Sequence, residues 1–167
     1  QRSAVLAELL AGGATVCLPE MRDTGTERGT YGEGNNGSTS HYALLFETPM
    51  LGYRLRDLRA VLRYLRTRVD TKRTTFALWG DSFTPPNPPD TDFQVPKQVS
   101  GRPTFSEPLG GLLALLGALY EEDVKAAYAY GGLSSYRDVL TSPYVYIPHD
   151  VVVPGVLKQG DLPDLVA

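Results

Sequence analysis

Sulfur and histidine are scarce in this chain. Cys17 is the only cysteine, and the two histidines, His41 and His149, lie far apart. An intrachain disulfide and a cysteine-rich zinc site are thereby excluded, and no metal-ligand spacing is present. The redox compartment stays open, and no metal or other cofactor is expected. Charge excess is also missing: 16 basic against 19 acidic residues leave a net charge of −3. Without a long basic run, nucleic acid is not an expected partner. The longest apolar stretch, 109–120, is too short to cross a bilayer, so no membrane span is expected. No internal repeat, heptad pattern or signal-peptide pattern is found, and nothing indicates a compartment or an oligomeric state.

What remains is a chain of 167 residues with 42% hydrophobic residues, enough for a single domain with one core over 1–167. Residues 4–10 have the spacing of a short amphipathic helix, which Gly12-Gly13 ends. The apolar run 14–18 then reads as a buried strand, with Cys17 as a core thiol. Residues 22–40 are polar and glycine-rich and read as a long loop. In 53–68 the leucines Leu55, Leu58, Leu62 and Leu65 recur at helical spacing, with arginines on the other faces. Those arginines read as a solvated face rather than a phosphate site.

Next come a strand at 74–79, a helix at 112–120 and a strand at 125–130, where alanine and tyrosine alternate. Helix and strand alternating in this way predict an α/β fold, a mostly parallel sheet with helices on both faces. Two glycines at the start of 109–120 suit close packing of that helix on the sheet. Between strand and helix, 83–108 holds seven of the 13 prolines and reads as an extended insertion with little internal hydrogen bonding. Asp161-Leu162-Pro163-Asp164 reads as a helix start, with an N-cap acid and an early proline. That helix has no room to finish before Ala167, and the first residue is not methionine, so a segment of a longer protein is expected.

The chemistry-bearing motif is Gly80-Asp81-Ser82, at the carboxyl end of the 74–79 strand, where ligand sites of parallel sheets lie. A strand, a small-residue turn carrying serine and then a helix approach the nucleophile elbow, G-x-S-x-G. The turn exposes the serine oxygen, and the next backbone N–H points to where an oxyanion forms. Thr84 stands in place of the downstream glycine. Looping out 83–108 would join Gly80-Asp81-Ser82 to Leu109-Gly110-Gly111 and restore the elbow with its helix. Asp81 reads as a capping or solvent-facing residue rather than a triad acid.

From about Ala4 onward, apart from the proline-rich insertion, the chain resembles the α/β-hydrolase fold, in particular its acetyl xylan esterase and prolyl-oligopeptidase-like branch. The resemblance rests on "LLAGGATVCLPEMRDTGT", "PMLGYRLRDLRAVLRYL", "FALWGDS", "LGGLLALLGAL", "VKAAYAYGGLSSYRDVL" and "VVVPGVLKQGDLPDLVA" in that order. It implies a serine hydrolase of carboxylic esters, acetylated carbohydrate or a small-molecule ester being the substrate. Ser82 would be its nucleophile and the Phe83 N–H an oxyanion donor. In that family the acid and the histidine follow the serine on later strands. His149 is the only histidine after Ser82 and comes too early to match the family's base, so acid and base are expected beyond Ala167 and the isolated chain is expected to be inactive. His149 remains a candidate base, and His41 a weaker one.

Two alternatives stand beside this reading. "WGDSFT" also resembles the opening block of the GDSL or SGNH esterases, which would use the same serine; their Asp-x-x-His block is missing, since Tyr146 stands three before His149. The other is a non-catalytic α/β domain that has kept the fold and lost the site. Gly32-Glu33-Gly34-Asn35-Asn36-Gly37 matches the dinucleotide-binding pattern literally, but no strand leads into it and no periodic helix follows, so it reads as a loop.

Overall fold

A βαβ unit forms where the apolar stretches lie. The computed structural model describes residues 2–24, 36–68, 75–82 and 84–165. In it β1 (Phe76–Gly80) pairs in parallel with β2 (Val124–Ala129), with Leu78 opposite Ala127, Trp79 opposite Tyr128 and Gly80 opposite Ala129. The Tyr130 N–H extends the ladder to the Gly80 carbonyl at 2.9 Å. Parallel strands need a crossover, and here it contains α4 (Leu109–Tyr120), which packs on both strands. Gly117 makes that packing close: a Cβ there would lie 2.6 Å from a Leu78 methyl and 2.8 Å from one of Leu58. The described residues therefore form a mixed α/β structure built on a two-stranded parallel sheet.

Of the helices expected on both faces, the described residues show α4 on one. Helix α4 covers the face that carries Leu78 and Gly80, while Trp79 and Tyr128 meet edge to face on the other, 5.6 Å apart, and both stay exposed. The predicted strand at 14–18 is not formed either. Its residues join no ladder, Leu18 is 78% exposed, and Cys17 is exposed rather than buried. A strand exists only through its partners, and β1 finds its partner in β2. The helix at 4–10 is present as α1 (Arg2–Ala11), ended by Gly13 at φ 85°.

Part of the expected long loop is helical. Helix α2 (Asn36–Leu45) takes in the end of 22–40, while 25–35, including most of the glycine-rich dinucleotide-like pattern, lies outside the described residues. Helix α3 (Met50–Thr67) buries Leu51, Leu58 and Leu62 against α4, Val124, Tyr136, Val151 and Leu162. Its exposed side is held by ion pairs: Arg66 to Asp123 at 2.7 Å and to Glu121 at 2.6 Å, and Arg59 to Glu121 at 2.5 Å, all at the turn before β2.

Arg54 breaks the expected pattern. It lies on the leucine side of α3, is fully buried, and bonds Asp150 as well as the Arg22 and Asp23 carbonyls, at 3.1 and 3.2 Å. Asp150 belongs to a 3-10 turn, His149–Val151, that packs on α2 and α3. Beyond β2 follow α5 (Tyr136–Val139) and short 3-10 turns, including Leu162–Leu165 at the expected helix start. Asp161 organises this end: its carboxylate accepts from Ser135 Oγ at 2.7 Å and from the Tyr136, Leu162 and Arg137 N–H groups.

The proline-rich excursion forms no helix or strand in 84–108, as its composition requires. It is nonetheless pinned, more than its composition suggested. Asn87 and Thr104 exchange two hydrogen bonds, at 2.8 and 2.9 Å, and Phe93 and Phe105 pack on Tyr146, whose hydroxyl donates to the Val95 carbonyl at 2.5 Å. Among the described residues, no helix is long and apolar enough to cross a membrane.

Candidate active site

β1 delivers Ser82 just beyond its carboxyl end, and the chain that leaves as the excursion returns to the same point. The Pro108–Gly111 stretch brings the amino end of α4 against the backbone of residues 80 and 81. A Cβ on Gly80 would lie 1.8 Å from the Gly110 oxygen, and one on Gly110 would lie 2.4 Å from the Asp81 oxygen. Gly111 is close-packed to a lesser degree, a Cβ there falling 3.0 Å from the Gly132 Cα. Strand, Gly80-Asp81-Ser82 turn and helix are thus brought together in space, although 83–108 separates them in the chain.

A further glycine shapes the site from the turn just beyond β2. Gly131 has φ 65°, a left-handed conformation that favours glycine, and a Cβ on it would lie 2.6 Å from the Ser82 Cβ. Ser82 itself is 3% exposed. Its hydroxyl donates to the Thr84 carbonyl at 3.1 Å and accepts from the Thr84 N–H at 3.2 Å, closing a small turn. Phe83, the expected oxyanion donor, lies outside the described residues.

Asp81 sits between the serine and a cation. Its Oδ1 accepts the Ser82 N–H at 2.8 Å and an Arg2 Nη2–H at 3.1 Å, Arg2 Nε bonds Oδ2, and Arg2 Nη2 also reaches the Ser82 carbonyl. The hydrogen bonds from Arg2 hold the Asp81 carboxyl below the usual carboxylate range, so Asp81 is ionised at neutral pH.

Among the described residues no hydrogen bond joins His149 to Ser82. His149 Nδ1 instead shares a hydrogen bond with Ser40 Oγ of α2 at 2.9 Å, and its ring lies 4.1 Å from that of His41. Burial, then the neighbouring His41, lowers the His149 pKa below the ordinary 6.5, so the imidazole is neutral at pH 7. Ser40 is itself 1% exposed. The two histidines and Ser40 therefore form a packing contact between α2 and the His149–Val151 turn. No group of three histidine, cysteine or acidic side chains placed to hold a metal occurs among the described residues.

Sequence reasoning missed Arg2, Gly131, Ser40 and Arg54. For Gly131 a signal existed in the Gly-Gly that follows the 125–130 strand; for Arg2 there was none, since 79 residues separate it from Asp81. Comparison with protein-family models, curated proteins and solved structures gives no match, so the functional reading rests on this geometry and on the residues themselves.

Proposed function

We propose that this chain is the nucleophile-bearing part of an α/β-hydrolase-type serine esterase, with Ser82 attacking carboxylic esters. The observation that carries the reading is the return of the α4 amino end onto Gly80 and Asp81. It supplies the strand, tight turn and helix that a nucleophile elbow needs. The amino end of a helix carries partial positive charge, which favours the negative charge that develops on the carbonyl oxygen under attack. Acetyl groups on small molecules or carbohydrate are the substrate class implied by the resemblance. No metal or cofactor enters the proposed reaction.

In the proposed reaction Ser82 Oγ adds to the ester carbonyl while a base takes its proton. As the tetrahedral intermediate collapses and its C–O bond to the leaving group breaks, the base returns that proton, so that the alcohol departs and an acyl-serine remains. Water, deprotonated by the same base, then hydrolyses it to the carboxylic acid and free Ser82. Because the hydroxyl of Ser82 bonds Thr84 and no hydrogen bond joins it to His149 among the described residues, we place the base on a histidine outside residues 1–167. In the full-length protein, Ser82→Ala is expected to abolish hydrolysis of 4-nitrophenyl acetate, and turnover at the wild-type rate would remove Ser82 from the mechanism.

A second reading has one observation in its favour. Ser82 Oγ is buried and doubly bonded to Thr84, as a purely structural serine would be. The same variant separates the two readings, since a non-catalytic domain shows no Ser82-dependent hydrolysis.

A further inference from the structure

Resting on the Ser82 reading, we infer that Arg2 is a positioning residue for the esterase site: its guanidinium fixes the Asp81-Ser82 turn and cancels the Asp81 charge beside the nucleophile. Helix α1 has no buried residue, so packing into the core does not explain its place. Its first turn carries the contact. Arg2 bonds both oxygens of the Asp81 carboxylate and the Ser82 carbonyl, while the Ser82 N–H closes back onto Asp81 Oδ1 at 2.8 Å. Guanidinium, carboxylate and the Ser82 backbone form one closed ring of hydrogen bonds, and a planar fork meets this requirement where a lysine ammonium would not.

The electrostatic half follows from the chemistry. Acyl transfer builds negative charge on the substrate oxygen next to Ser82. An unpaired carboxylate on the neighbouring residue would oppose that charge in the transition state and leave a neutral bound ester unaffected. Pairing with Arg2 removes the opposition. Loss of Arg2 should therefore lower kcat and leave KM unchanged.

The test uses the full-length protein and 4-nitrophenyl acetate, with Arg2→Gln, Asp81→Asn, the double variant and Ser82→Ala measured together. Arg2→Gln is expected to lower kcat roughly 10-fold at constant KM. Adding Asp81→Asn should recover at least half of the lost rate, because the charge that Arg2 cancelled is gone; Asp81→Asn alone should lose less than Arg2→Gln. If Arg2 only anchors α1, Asp81→Asn severs the same anchor, falls as far and gives no recovery, which overturns the inference. Wild-type kcat in Arg2→Gln overturns it as well. Should Ser82→Ala keep its turnover, or the wild type have none, the esterase reading itself fails; a dead Ser82→Ala beside an unaffected Arg2→Gln removes only the role of Arg2.

Discussion

The Gly110 carbonyl oxygen occupies the space that a side chain on Gly80 would need, 1.8 Å from the position of its first carbon. Both partners are backbone, so neither can swing aside. Gly80→Ala should force α4 away from the 80–82 turn. Overpacking of this kind costs about 1–3 kcal/mol and more where backbone has to move. Urea denaturation is expected to show a loss of about 3 kcal/mol for Gly80→Ala and a similar loss for Gly110→Ala. Wild-type midpoints in both variants would show that strand and helix do not meet here.

Arg54 and Asp150 give a second prediction. Both side chains are buried, and removing one partner strands the other's charge. Arg54→Met should cost about 3–5 kcal/mol in denaturant unfolding, whereas Arg54→Met with Asp150→Leu should recover a large part of that, since apolar pairs of similar volume replace buried ion pairs well. Equal destabilisation in single and double variants would contradict a pair held in this way.

Acid stability depends on Asp161. Burial alone would raise its pKa, but the hydrogen bonds from Ser135 Oγ and the Tyr136, Leu162 and Arg137 N–H groups prevail and hold it at about 2 against an ordinary 3.8. The folded state therefore binds its proton less readily than the unfolded chain, and the stabilisation is complete above pH 3.8 and lost as pH falls through about 2. Asp57, Asp81, Glu121 and Asp123 are lowered as well, chiefly by hydrogen bonds from arginine, so the whole protein should weaken in acid. Asp161→Asn isolates one share: it should be less stable at pH 6 and lose less between pH 4 and pH 2. Parallel wild-type and Asp161→Asn curves would contradict this account.

The βαβ unit was legible because its parts have strong local signatures. The strands at 74–79 and 125–130 and the helix at 112–120 fall on β1, β2 and α4 to within about three residues, as expected of boundary uncertainty. Proline set the excursion apart, and the Gly80 and Gly110-Gly111 positions foretold a close approach. The 14–18 run failed because apolar character makes a strand only when a ladder receives it. Helix α2 escaped notice because its buried positions include Ser40 and Ala43, too small to mark a hydrophobic stripe. Arg54 was readable in principle: it stands three residues after Leu51, four before Leu58 and eight before Leu62, on the buried stripe itself. The placement of Arg2 on Asp81 leaves no local trace at all, and neither does the pairing of His149 with Ser40, 109 residues away.

The most direct test of the central claim is covalent. The full-length protein is incubated with a fluorophosphonate that phosphonylates activated serines, then digested and mapped by mass spectrometry. The account predicts one adduct on the peptide containing Ser82, absent from Ser82→Ala and prevented by prior incubation with excess ester substrate. An adduct on another serine, or none in a protein that hydrolyses esters, would contradict it.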